Sequence, residues 1–110
     1  MTEDEARAVL LKRREELDEE DRISAEGRAP VTLQQDSVGR LSRMDAMQVQ
    51  AMALASERRR AAERQRIGAA LARLDDGEWG YCLGCGEEIA DKRLRHDPSV
   101  TRCVNCAGAG

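Results

Sequence analysis

The sequence predicts a mostly α protein, a long antiparallel two-helix hairpin followed by a small four-cysteine finger, and three observations in its 110 residues predict it. Two stretches with helical apolar spacing each open on a Thr-x-x-Glu or Thr-x-x-Gln signature. The only breakers between them are Gly27 and Pro30. All four cysteines then follow as two Cys-x-x-Cys pairs near the C-terminal end. The expected division is residues 1–76 as hairpin and 77–110 as finger with a short flexible tail.

Thr2 with Glu5 fits the reciprocal cap in which Thr accepts from the third helical amide and the acidic side chain reaches back. Ala6, Val9, Leu10, Arg13 and Leu17 follow at helical steps, so the first helix should cover about residues 3–25. Thr32 with Gln35 marks the second start. Val38, Leu41, Met44, Met47, Ala51, Leu54 and Ala55 continue it, and Ile67, Leu71 and Leu74 resume the pattern before Asp75-Asp76-Gly77. The second helix should cover about residues 33–75, roughly 64 Å at about 1.5 Å per residue. Arg58 and Gln65 interrupt the seam, so the pairing is not a regular coiled coil.

The chain has no Phe, one Trp, one Tyr and 35% charged residues, and much of its apolar content is Ala. An elongated shape with a thin apolar seam follows, because Ala buries little area. With the turn near residues 26–32, residue i should face roughly residue 59 − i. That places Glu15, Glu16, Asp18, Glu19, Glu20 and Asp21 beside Arg40 and Arg43, and Glu3, Asp4 and Glu5 beside Arg58, Arg59 and Arg60. The first helix then runs out near residue 57, and Trp79, Tyr81 and Ile89 are expected to cover Ile67, Leu71 and Leu74. Without such cover, residues 58–75 would favour self-association.

Cys82-Leu83-Gly84-Cys85 is followed after 17 residues by Cys103-Val104-Asn105-Cys106. A two-residue spacer lets both thiolates of a pair converge on one tetrahedral ion, and two pairs at this separation point to a single structural Zn2+ held by Cys82, Cys85, Cys103 and Cys106. A thioredoxin-like dithiol would need a strand before the pair, whereas a helix precedes this one. His96 competes by type, but four cysteines already close the shell. A closed shell leaves no position for water, so the metal should not catalyse.

No nucleophile pattern, phosphate loop or histidine-based triad is present, and no enzyme is expected. The formal charge is −3, which argues against sequence-specific DNA binding. The arginines at 58–60, 64 and 66 sit among Glu57 and Glu63 and read as a solvated, salt-bridged face. An acidic N-terminus and the lack of a long apolar run point to a cytoplasmic protein without a membrane segment, expected to be a monomer.

The finger sequence Gly80-Tyr81-Cys82-Leu83-Gly84-Cys85-Gly86-Glu87-Glu88-Ile89, with Arg93-Leu94, Pro98 and both later cysteines, resembles the DksA/TraR family of bacterial proteins. The resemblance is close from about residue 33 onward and covers the first helix by architecture only. It implies a transcription regulator that binds RNA polymerase, not promoter DNA, and inserts its hairpin into the secondary channel. Better-known members carry acid-x-x-acid-x-Ala at the hairpin tip. Here Asp36 supplies the first acid, Gly39 and Leu41 stand at the other two places, and Asp45-Ala46 offers an acid beside an alanine further along. Asp36 also suits the positive end of a helix, whatever else it does. The resemblance carries ppGpp as a possible partner, but Ala107 stands where alarmone-responsive relatives tend to carry a basic residue. The family's usual helix after the finger is not expected, since the chain ends four residues past Cys106. From a different class, the same features suit a non-catalytic zinc-finger adaptor or a self-associating helical interaction protein.

Overall fold

The computed structural model describes residues 1–27 and 43–109. They form α1 (Glu3–Gly27), α2 (Arg43–Asp76), α3 (Asp91–His96) and α4 (Val104–Ala109) in an arrangement of 60 × 29 × 20 Å. Thr32, Gln35, Asp36, Arg40 and the expected start of the second helix lie outside the described residues.

The Thr2 hydroxyl oxygen accepts the Glu5 amide at 3.1 Å, and the hydroxyl donates to the Glu5 carboxylate at 3.2 Å. Glu3, Asp4 and Glu5 fill the first turn, where the exposed amides of a helix favour negative charge. At the other end of the hairpin unit, α2 is closed by two backbone bonds. Gly77 N donates to Leu74 O at 3.3 Å and Glu78 N to Arg73 O at 2.8 Å, with Gly77 at φ +75°. This is the Schellman arrangement, and the left-handed residue it requires is why Asp-Asp-Gly stops the helix there.

The two helices pack antiparallel, but not in the expected register. Arg7 pairs with Asp75 at 2.9 Å, Arg13 with Glu63 at 2.7 Å, Asp18 with Arg64 at 2.5 Å and Asp21 with Arg60 at 2.5 Å. Residue i therefore faces roughly residue 80 − i. The acidic run from Glu15 to Asp21 meets Arg60 and Arg64 instead of Arg40 and Arg43, and Arg58–Arg60 do not face Glu3–Glu5. The reason is energetic. An exposed ion pair contributes about 0–1 kcal/mol, and acids and arginines are frequent enough here to complement each other in several registers. A fully buried Leu or Ile contributes about 1.5–3 kcal/mol, and only this register sets Ala6, Leu10 and Leu17 against Ile67, Ala70, Leu71 and Leu74.

Two further expectations change with the register. Residues 58–75 are covered from both sides, by α1 and by Trp79, Ile89 and Leu94 of the finger, so Ile67, Leu71 and Leu74 are buried. Met44, Met47 and Leu54, which periodicity puts on the seam, are 78%, 65% and 41% exposed. Tyr81 also departs from expectation and is 46% exposed. Tyr81 forms an antiparallel bridge with Glu88, and in extended chain the inward direction of buried Cys82 sends its predecessor outward.

The expected flexible tail is helical through Ala109 among the described residues. Ala107 N donates to Cys103 O at 2.9 Å, so the turn that holds Cys106 is already made and the following residues extend it without a new nucleus.

Arg13 grips Glu63 with two nitrogens, Nε at 2.7 Å and Nη2 at 3.0 Å, and this hydrogen-bonded guanidinium holds the Glu63 carboxyl below the usual carboxylate range. A lowered acid pKa stabilises the fold above the unfolded value, about 4.3, and that stabilisation is lost as pH falls through the folded value. Glu63→Gln should lower the unfolding free energy by up to about 1 kcal/mol at pH 7. The difference from the unsubstituted chain should shrink below about pH 4, as followed by urea midpoints over a pH series.

Candidate metal centre

Two short pieces of chain bring the cysteines together. The first is a tight loop after Tyr81, closed by Cys82 N donating to Glu87 O at 2.8 Å and Gly86 N donating to Cys82 O at 2.9 Å, with Gly86 at φ +78°. It carries Cys82 and Cys85. The second is the start of α4, which carries Cys103 just before the helix and Cys106 in its first turn. Leu83 N donates to Thr101 O at 2.8 Å and ties the two pieces side by side. α3 and the Asp97-Pro98-Ser99 turn connect them, braced by the Trp79 indole, which donates to Pro98 O at 2.9 Å from beneath. The Arg93 Nε donates to Arg102 O at 2.8 Å and closes the loop that leads back to Cys103.

The four sulfur atoms lie within 4.8 Å of one another, the one such cluster among the described residues. Tetrahedral zinc with Zn–S bonds of about 2.3 Å requires sulfurs about 3.8 Å apart. Cys85 Sγ and Cys103 Sγ are 3.8 Å apart. Backbone amides donate to the sulfurs as well: Gly84 N and Cys103 N to Cys82 Sγ at 3.2 and 3.3 Å, and Cys106 N to Cys103 Sγ at 3.4 Å. His96 is an exposed residue at the end of α3 and does not join the cluster.

The chemistry of the donors agrees with the geometry. The Cys103 amide, with those of Cys85 and Gly84, holds the Cys82 thiol down to about 6. Contact with the thiols of Cys103, Cys82 and Cys85 pushes Cys106 up to about 12. Four crowded thiols cannot all lose protons unaided, and a divalent cation is the group that lets them do so. The residues present therefore fit one structural zinc ion with no open position. Gly84 is part of that fit, because a Cβ there would sit 3.0 Å from Cys106 Sγ and 3.2 Å from Cys106 Cβ.

Asp45, the other acid named from the sequence, lies in the first turn of the described part of α2 and is exposed, roughly 46 Å along the helix from Asp76. Asp36 is outside the described residues. The structure thus gathers the four cysteines at one place and sets Asp45 far from them. Sequence reasoning missed Arg73 and the bonds of Arg93 to Arg102 O and of Trp79 to Pro98 O, which have no spacing signature because each meets a backbone carbonyl. Of the arginine cluster, Arg60 and Arg64 are engaged by Asp21 and Asp18, in keeping with a salt-bridged face.

Residues 77–109 match the family described as the prokaryotic dksA/traR C4-type zinc finger. Among curated proteins, the chain is 43% identical over 42 residues to the RNA polymerase-binding transcription factor DksA of Haemophilus influenzae, covering 38% of this chain and 29% of that protein. It is 36% identical over 42 residues to DksA of Escherichia coli K12, covering 28% of that protein. The match thus spans less than a third of these relatives. A solved structure, transcription factor DksA2 from Pseudomonas aeruginosa, is similar over 97% of this chain and 81% of its own, with a TM-score of 0.79 and 25% identity.

Metal removal should separate the two parts of the molecule. The finger buries few apolar side chains, so a chelator should abolish its dispersed amide signals while most α1 and α2 helicity remains by circular dichroism. Gly84→Ala should weaken metal binding, measured by competition with a chromophoric chelator, without changing helix content.

Proposed function

Taking as premise that the finger and the fold are those of the DksA/TraR family, we propose that this chain is a non-catalytic, zinc-dependent regulator that binds RNA polymerase and reaches into its secondary channel with the hairpin. The observation that carries the reading is the joining of the two parts. The matched finger at 77–109 closes onto α1 and α2, and the whole arrangement shares its shape with DksA2. The division of labour is a hairpin over 1–76 that does the reaching and a finger over 77–110 that holds its base, through Cys82, Cys85, Cys103 and Cys106.

A long, narrow hairpin suits a channel that a globular domain could not enter. In this reading the acids toward its far end, Asp36 and Asp45, act on charged groups near the polymerase centre, a magnesium ion or basic loops. The net charge of −3 supports protein rather than DNA as the partner. No described helix is long and apolar enough to cross a membrane, which accords with a protein working beside polymerase in the cytoplasm.

The rival reading, self-association through residues 58–75, is weakened because Ile67, Leu71 and Leu74 are already buried within one chain. The decisive experiment is transcription in vitro with purified polymerase, with and without ppGpp. Retention of the chain on polymerase and a change in transcript yield are expected, with Asp36→Asn or Asp45→Asn reducing the change but not the retention. A chain that neither binds polymerase nor alters yield would overturn the proposal.

A further inference from the structure

We propose that Arg73 is a positioning residue that locks the finger to α2 at one orientation, so that finger and hairpin move as a single body. Arg73 Nη2 donates to two carbonyls beyond its own helix, Glu78 O at 3.1 Å and Tyr81 O at 2.5 Å. The Arg73 carbonyl in turn accepts the Glu78 amide at 2.8 Å. One residue therefore holds both the exit from α2 and the last peptide before Cys82.

The segment it spans needs such a hold. Gly77 and Gly80, at φ +75° and +93°, give a five-residue connection two positions that favour glycine and lack a Cβ. Trp79 fixes one side of this connection by burial and by its bond to Pro98 O, and Ile89 and Leu94 pack in the same core, while the Tyr81 end of the connection faces outward. The Arg73 guanidinium supplies the second anchor, on the Tyr81 carbonyl. Its Nη1 is buried without an acceptor, a desolvation cost that the fold bears to keep Nη2 between the two carbonyls. A planar cation suits this place because the last turn of a helix, rich in unpaired carbonyls, favours positive charge.

The proposal does not depend on what the chain binds and is tested on the zinc-loaded full chain by residual dipolar couplings. In the unsubstituted protein, amides of α2, α3 and α4 should fit one alignment tensor. Arg73→Met keeps the apolar stem and removes the donors. It should leave helix content and the cadmium chemical shift of a cadmium-loaded sample unchanged, while the finger amides lose α2's tensor and show a smaller one of their own. Arg73→Lys, with a donor on a shorter stem, should fall between. A common tensor of undiminished size in Arg73→Met would overturn the proposal. If that variant does not fold, the Arg73 guanidinium signals of the unsubstituted chain decide: separate, slowly exchanging Nη protons are expected, and one averaged signal would overturn it.

Discussion

Ile67, Ala70, Leu71 and Leu74 make one apolar face near the end of α2, and α1 and the finger close it from two sides. α1 covers part with Ala6, Leu10 and Leu17, and the finger covers the rest with Trp79, Ile89 and Leu94. Neither cover has a core of its own. α1 has only three buried positions, and the finger buries only Trp79, Ile89, Leu94, Pro98, Ser99 and one cysteine. The hairpin and the finger are consequently not independent bodies joined by a linker, since they share the same four residues of one helix.

The finger's share of that face is built around the four cysteines. Loops rich in glycine and polar residues do not hold a single shape by apolar burial, and here two cysteine-bearing pieces, far apart in sequence, meet at the Leu83–Thr101 backbone bond and where four sulfurs converge. The zinc site thus places Trp79 and Ile89 by fixing the loops on either side of them.

The metal site was fully legible in the sequence, because ligand spacing is a local property and survives whatever the rest of the chain does. Helix existence was legible too, through the Thr2 cap and the Gly77 stop. The register was not. A turn placed near residues 26–32 predicts one register, and charge agrees with it only because exposed pairs are weak and repeat along the chain. The apolar residues of α1 number only three among the buried, Ala6, Leu10 and Leu17, too few to announce their partners without the fold. The carbonyl contacts of Arg73 and Arg93 were invisible for a different reason: their acceptors are backbone atoms, which every residue carries.

The Gly77 stop has a mechanical consequence. α2 runs from it for 34 residues, about 51 Å, and among the described residues its far end at Arg43 lies away from the finger. Such a rod is a lever whose fulcrum is one glycine, so a rotation of roughly 10° at that joint would sweep the far end through about 9 Å. Aim at the far end is thus decided by the shared apolar face and the hydrogen bonds at the near one.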